Sequence, residues 1–263
     1  MSLIFGAIIP HPPVLIPTIG QENLAKLKKT EKALKELEDT LYHLKPDTII
    51  IISPHGQLID DAFTINHLPV LKGDFEEFGD LSTKLEFKNN LGLAYRIRES
   101  METQLPIVLT SEEKLDHGSL VPLYYLTAHL KDITVIPIHY SMLDRGRHFQ
   151  FGQEIRKILE QTSNRVVVIA SGDLSHRLTK KAPGGFSPRG KEFDQQLIKL
   201  LKEKKINEIL NLDENLVAEA GECGLRSILI LLGIFSELNY QFKVLSYQSP
   251  FGVGYLVASF YLN

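Results

Sequence analysis

The chain has 263 residues, 43% of them hydrophobic, and a formal net charge of −3 with both signs spread along its length. This supports a substantial core, excludes collagen-like and disordered classes, and leaves no basic footprint for DNA or RNA. Cys223 is the only cysteine, which rules out an internal disulfide and a thiolate cluster for zinc and fits a reducing cytoplasm. No run reaches the roughly 18 apolar residues of a membrane span. The N-terminus enters a strand-like segment without a basic n-region, so a soluble cytoplasmic protein is expected.

In chain order, residues 3–9 form an apolar run that reads as a strand covered on both faces, broken by Pro10, Pro12 and Pro13. Residues 22–44 place Leu24, Leu27, Leu34, Leu37, Leu41 and Leu44 at helical spacing among lysines and glutamates. Such a stripe can serve a partner interface, but covering a sheet is its commoner use. Residues 48–52 predict a second buried strand, 89–102 and 119–129 two helices, 134–138 a third strand, 146–161 a helix and 166–170 a fourth strand. Helices over 190–203 and 224–238 precede strands over 242–247 and 254–261. The loop joining these last two is too short for a crossover helix, so they should pair antiparallel. Alternating strands and helices predict an α/β fold, a three-layer α/β/α arrangement with a central mixed sheet. Nothing marks a repeat or linker, so one domain over 1–263 is expected.

Several polar residues stand where open α/β sheets place ligands, beyond strand ends. Pro12 pushes His11 into an extended conformation and so fixes its direction; the bland alternative is a satisfied structural histidine. His55 follows four isoleucines and Ser53-Pro54, with Gly56 permitting a tight turn. Asp116-His117 either contributes to a site or simply starts a helix that Ser119 caps. His176 ends a small-residue turn after the strand at 166–170. Glu222, flanked by Gly221 and Cys223-Gly224, is either a metal ligand or a favourable partner for a helix dipole. Two imidazoles and one carboxylate suit Fe(II) with open coordination positions. Cys223 reads first as core packing, with a reactive thiol or a soft ligand as alternatives. His43, His67, His129, His139 and His148 read as ordinary surface or structural histidines. Residues 180–191, with Lys180, Lys181 and Arg189, form a solvated loop or a lid that attracts an anionic substrate. No GxxxxGK[ST], GxGxxG or GxSxG motif occurs, which disfavours kinase, dehydrogenase and α/β-hydrolase readings.

Taken together, HPPVLIP from His11, SPHG ending at Gly56, DHGSLVPL from Asp116, SGDLSH ending at His176 and GECG around Glu222 resemble the class III extradiol ring-cleavage dioxygenases, catalytic B-subunit type, with their Memo-like relatives. The resemblance spans nearly the whole chain. It implies a non-haem Fe(II) held by His11, His55 and Glu222, with His176 as acid/base and His117 lining the pocket. The implied reaction inserts O2 into a catechol-like ring. Two alternatives share these residues: a Memo-like non-catalytic protein that binds a metal or a partner, marked by no first-row metal or by copper on Cys223, and a zinc-dependent hydrolase using a metal-bound water. The expected partners are a small aromatic diol and O2, with neither nucleic acid nor membrane; assembly into a homo-oligomer is left open.

Overall fold

The computed structural model describes residues 2–262. The chain begins with β1 (Leu3–Ile9) and passes through 3-10 turns and a four-residue helix, α1 (Pro17–Gly20), into α2 (Lys28–Leu44). Of the expected stripe, Leu34, Leu37 and Leu41 are buried on α2 and Leu27 in the 3-10 turn before it, while Leu24 and Leu44 are half-buried. Next come β2 (Thr48–Ser53), β3 (Phe63–Asn66), β4 (Val70–Phe75), β5 (Asp80–Asn89), α3 (Leu91–Met101) and β6 (Ile107–Thr110). The middle of the chain holds α4 (His117–Leu126), β7 (Thr134–His139), α5 (Arg145–Leu159) and β8 (Val166–Ser171). The remainder is α6 (Pro188–Lys202), α7 (Ile206–Leu210), α8 (Glu214–Ala220), α9 (Leu225–Phe235) and the pair β9 (Tyr240–Gln248) and β10 (Tyr255–Leu262).

The main path through the sheet runs β4-β5-β7-β2-β8-β1-β10-β9, with β3 pairing both β7 and β6. From β5 through β7, β2 and β8 to β1 the neighbours are parallel. β10 runs antiparallel to β1, and β9 to β10, as the short loop between them requires. The sheet is therefore mixed. Alternate residues of one strand point into two separate cores: Ile50 and Ile52 join Leu93, Ile155, Leu197 and Ile228 on one face, while Ile49 and Ile51 join Leu34, Leu37 and Val121 on the other. Helices thus cover both faces, which explains why β2 and β8 read as unbroken apolar runs. Each such isoleucine, wholly removed from water, contributes roughly 1.5–3 kcal/mol.

Register decides where a site can form. Ile9 stands opposite Ser171, Ile52 opposite Ala170, and Ser53 opposite His139. The four central strands β7, β2, β8 and β1 therefore end level with one another, and the loops that follow them rise from one edge of the sheet. On the first face α5 packs closely on α9: a Cβ at Gly152 would lie 2.0 Å from the Ile230 carbonyl oxygen. Among the described residues no helix is long and apolar enough to cross a membrane.

Candidate metal centre

His11 lies two residues beyond β1 and His55 two residues beyond β2, so the level strand ends deliver both rings to one place. Their Nε2 atoms are 3.1 Å apart. Cys223 Sγ lies 3.7 Å from His11 Nε2. One donor atom from each of His11, His55 and Cys223 falls within 4.8 Å of the others, the group of potential metal ligands found among the described residues. The carboxylate of Glu222 is outside that group. Its Oε2 accepts the Leu225 backbone N–H at 2.6 Å, at the start of α9, the dipole-partner arrangement weighed against ligation.

The tautomer of His11 follows from its neighbours. Ser171 Oγ has a single proton and donates it to the Gly118 carbonyl. It must therefore accept from His11 Nδ1, 2.9 Å away. That leaves His11 Nε2 as a lone pair turned toward His55 and Cys223. Burial holds His11 well below the ordinary imidazole value, with His55 and His117 adding to the shift. His55 falls to about 4, again through burial first and His117 second. Both rings are neutral near pH 7, the form that binds metals. Burial raises the Cys223 thiol well above its usual range, so it becomes a thiolate only when a cation takes its proton's place.

Replacing Ser171 by Ala should lower metal affinity about 10- to 100-fold, the usual cost of losing the partner behind a ligating histidine. A chelator competition titration checks this; unchanged affinity would mean that Ser171 does not set the ring.

Two loops are locked together beneath the cluster. Cys223 N–H donates to the Asp173 carbonyl and Asp173 N–H to Cys223 Sγ, each at 3.3 Å. His176 N–H and Ser175 Oγ both donate to the Ala220 carbonyl. The approach requires glycine, because a Cβ at Gly172 would sit 2.2 Å from Gly224 Cα. Asp173 is buried and accepts the His11 N–H at 3.1 Å; burial raises its carboxyl to about 7. His176 Nε2 lies 4.0 Å from Asp173 Oδ2, and its own value is lowered by burial.

His117 opens α4 and stacks on His55, centroids 4.3 Å apart and planes 29° apart; it meets His11 edge-on at 5.5 Å and Phe78 at 5.3 Å. It adjoins the cluster without entering the donor group. The cap of α4 is Asp116, not Ser119: Asp116 Oδ1 accepts Ser119 N–H at 3.0 Å. A carboxylate reaches back over that distance from the Ncap position, whereas Ser119 is already inside the helix. Asp116 also accepts from Ser53 Oγ and Ser119 Oγ and meets His139 Nε2 at 3.2 Å. Burial pushes Asp116 upward, but these partners outweigh it and hold it below the usual carboxylate range. His139 and His148 are both buried, His148 between the carbonyls of Ser141 and Asp144. Of residues 180–191, 180–187 form turns that lead into α6 at Pro188, with Phe186 exposed.

Behind the His176 loop, Asp194 Oδ1 accepts the Ser175 N–H at 2.8 Å and Oδ2 accepts the Tyr247 hydroxyl. Burial raises its carboxyl to about 6 against those bonds. A raised carboxyl value means that the folded state holds a proton which the unfolded chain has released. Its stability contribution is complete below the unfolded value near 4 and is lost as pH rises through about 6, a change on the order of 3 kcal/mol. Urea unfolding of wild type and Asp194→Asn should therefore diverge from pH 4 to 6, with wild type losing stability relative to the variant, and run parallel above about 7. A constant difference across that range would contradict the assignment.

Residues 6–258 match the family model of the catalytic LigB subunit of aromatic ring-opening dioxygenase. The chain belongs to this family. It is 33% identical over 97% of its length to protein CA_C1420 of Clostridium acetobutylicum, and spans 57% of that protein. It is 28% identical to 3,4-dihydroxyphenylacetate 2,3-dioxygenase of Escherichia coli, over 81% of this chain and 82% of the relative. A MEMO1 family protein of Archaeoglobus fulgidus is 24% identical over 56% of this chain and 63% of its own. The crystal structure of an uncharacterized Escherichia coli K12 protein, JW3007, shares the fold with a TM-score of 0.71 at 17% identity, covering 97% of this chain and 99% of that one.

Proposed function

We propose that this LigB-family chain is a cytoplasmic, Fe(II)-dependent extradiol dioxygenase that opens a catechol-like ring with O2. The metal is held by His11, His55 and Cys223, and His176 acts as acid/base. The observation that carries this reading is the convergence of the three donors at the ends of β1 and β2, in a family described as ring-opening. The donors fit a first-row metal: His11 presents its Nε2 lone pair, both rings are neutral, and a thiolate carries the same single negative charge as the carboxylate expected from Glu222. Glu222 is the alternative third donor, and would have to leave the Leu225 N–H to reach the metal. When bound, Fe(II) supplies the site at which a diol and O2 exchange electrons.

The protein's own groups do the rest. His176 is neutral near pH 7 because burial disfavours its cation, so it can take a phenolic proton and return it. Asp173, titrating near 7 and 4.0 Å away, steadies the protonated ring. His117 and Phe78 offer an aromatic wall against which a flat substrate stacks. The name of the E. coli relative supports a dihydroxylated aromatic substrate.

Cys223 in the donor set favours a second reading, a Memo-like protein that binds a softer metal such as copper, or a partner, without turnover. Anaerobic loading with Fe(II) followed by O2-uptake assays across a catechol panel separates them. Uptake matched by a ring-opened product is the expected result. No uptake with any diol at full iron occupancy would overturn the enzymatic reading in favour of the second. Zinc-dependent turnover that needs no O2 would point to hydrolysis instead.

A further inference from the structure

Behind the metal centre stand two buried polar side chains that the chemistry above does not use. Asp116 Oδ2 and His139 Nε2 face each other across 3.2 Å, the side chains 7% and 2% exposed. Neither belongs to the donor group. Their contacts converge on the loop that carries His55. Ser53, the last residue of β2, donates through Oγ to Asp116 Oδ1, and the same Oγ accepts the His55 N–H at 3.2 Å. Beyond His55, Thr64 Oγ1 donates to the Gln57 carbonyl at 3.2 Å and meets His139 Nδ1 at 3.0 Å. The His139 ring also fills the space beside the turn: at Gly56, where φ is +83°, a Cβ would lie 2.6 Å from His139 Nε2. The backbone on both sides of His55 is thus tied to the Asp116–His139 pair.

The same carboxylate fixes the neighbouring ring. Asp116 caps α4, whose first residue, His117, stacks on His55. A carboxylate offers about four acceptor positions on its two oxygens, and Asp116 meets four partners: the Ser53 hydroxyl, the Ser119 N–H, the Ser119 hydroxyl and His139. Capping the helix needs only the Ser119 N–H, and serine or asparagine does that about as well as aspartate. The contacts with Ser53 and His139 serve a different end, joining α4 to the exits of β2 and β7.

We propose that Asp116 is the positioning residue of the metal centre, directing His55 through Ser53 and the stacked His117 through the start of α4. The inference rests on the metal-binding reading above and is independent of ring opening. Zinc and cobalt(II), each added to metal-free full-length protein, are therefore the probes. Chelator competition gives the affinity, and the visible absorption bands of cobalt follow the geometry of its ligands. Asp116→Ser keeps a cap for α4 but is too short to hold Ser53 and His139. It should lower zinc affinity about 10- to 100-fold, the usual cost of removing the support of a ligating histidine, and shift the cobalt bands. Asp116→Asn caps equally well and keeps an oxygen that accepts from Ser53, so its loss should be clearly smaller. Ser53→Ala should lose about tenfold alone and add almost nothing to Asp116→Ser, because the two residues act along one path. Thermal melts confirm folding; should Asp116→Ser not fold, Ser53→Ala is expected to show its loss by itself.

A folded Asp116→Ser protein with wild-type zinc affinity and cobalt bands overturns the inference and leaves the metal centre standing. Equal losses in Asp116→Ser and Asp116→Asn also overturn it, since the bond to Ser53 would then count for nothing. So do fold-changes that multiply in the double variant, the mark of residues acting apart. A wild-type protein that binds neither ion removes the metal centre itself, and this inference with it.

Discussion

His11→Ala and His55→Ala are each expected to abolish stoichiometric metal binding, weakening it by well over about 100-fold, since losing merely the partner behind a ligand costs about 10- to 100-fold. Each removes one of three donors in a group that spans no more than 4.8 Å. The two variants should differ in stability. His11 is 3% exposed and holds both Ser171 and the His55 ring, so its loss leaves a buried hydroxyl short of a donor. His55 is half-buried, and truncating it should disturb the fold less. Chelator competition reads the first effect and urea unfolding the second. A His55→Ala protein that kept its metal at wild-type affinity would remove β2 from the site.

His176→Gln should lower kcat by roughly 10²- to 10⁴-fold, the usual contribution of a positioned acid/base, while metal occupancy stays near wild type. Glutamine keeps the size and polarity of the side chain but cannot take up or release a proton near neutrality. The direction of the His176 shift adds a signature. Burial lowers its value, so the acidic limb that it contributes to the kcat profile should lie below the ordinary imidazole value of about 6.5 and disappear in the variant. Loss of iron from His176→Gln, with metal retained in Cys223→Ala, would exchange the roles assigned to the two residues.

The sequence revealed the centre of the sheet better than its margins. β1, β2, β7 and β8 are legible because they are buried on both faces and so are apolar throughout; β3, β4, β5 and β6 were not foreseen. β5 alternates buried and exposed positions, with Asp80, Lys84, Glu86 and Lys88 along it, and such a pattern under one covering layer resembles a polar loop. α7 and α8 are too short, at five and seven residues, for a helical period to stand out. His11 and His55 were legible as strand exits, since a proline beside each, with Gly56 after His55, marks where the chain must turn. The partners that set their state were not. Ser171 ends β8 and meets His11 across 160 positions, and no local pattern reports such a contact. His139 looked ordinary for the same reason: its tie to Asp116 depends on β7 lying beside β2. Between the adjacent Glu222 and Cys223, sequence chemistry pointed to the carboxylate, the commoner companion of two imidazoles around iron. In the structure Cys223, hydrogen-bonded to Asp173, holds its sulfur 3.7 Å from His11 Nε2, while Glu222 accepts the Leu225 N–H.

X-ray absorption on the zinc-loaded protein tests most directly whether His11, His55 and Cys223 form one metal centre. Zinc has no geometric preference of its own, and its bond lengths separate sulfur from nitrogen and oxygen. The expected spectrum contains one sulfur at about 2.3 Å and two imidazole nitrogens at about 2.0–2.1 Å, with the sulfur shell lost in Cys223→Ala and unchanged in Glu222→Gln. A first shell of nitrogen and oxygen alone that Glu222→Gln alters, or a protein that binds no metal, would contradict it.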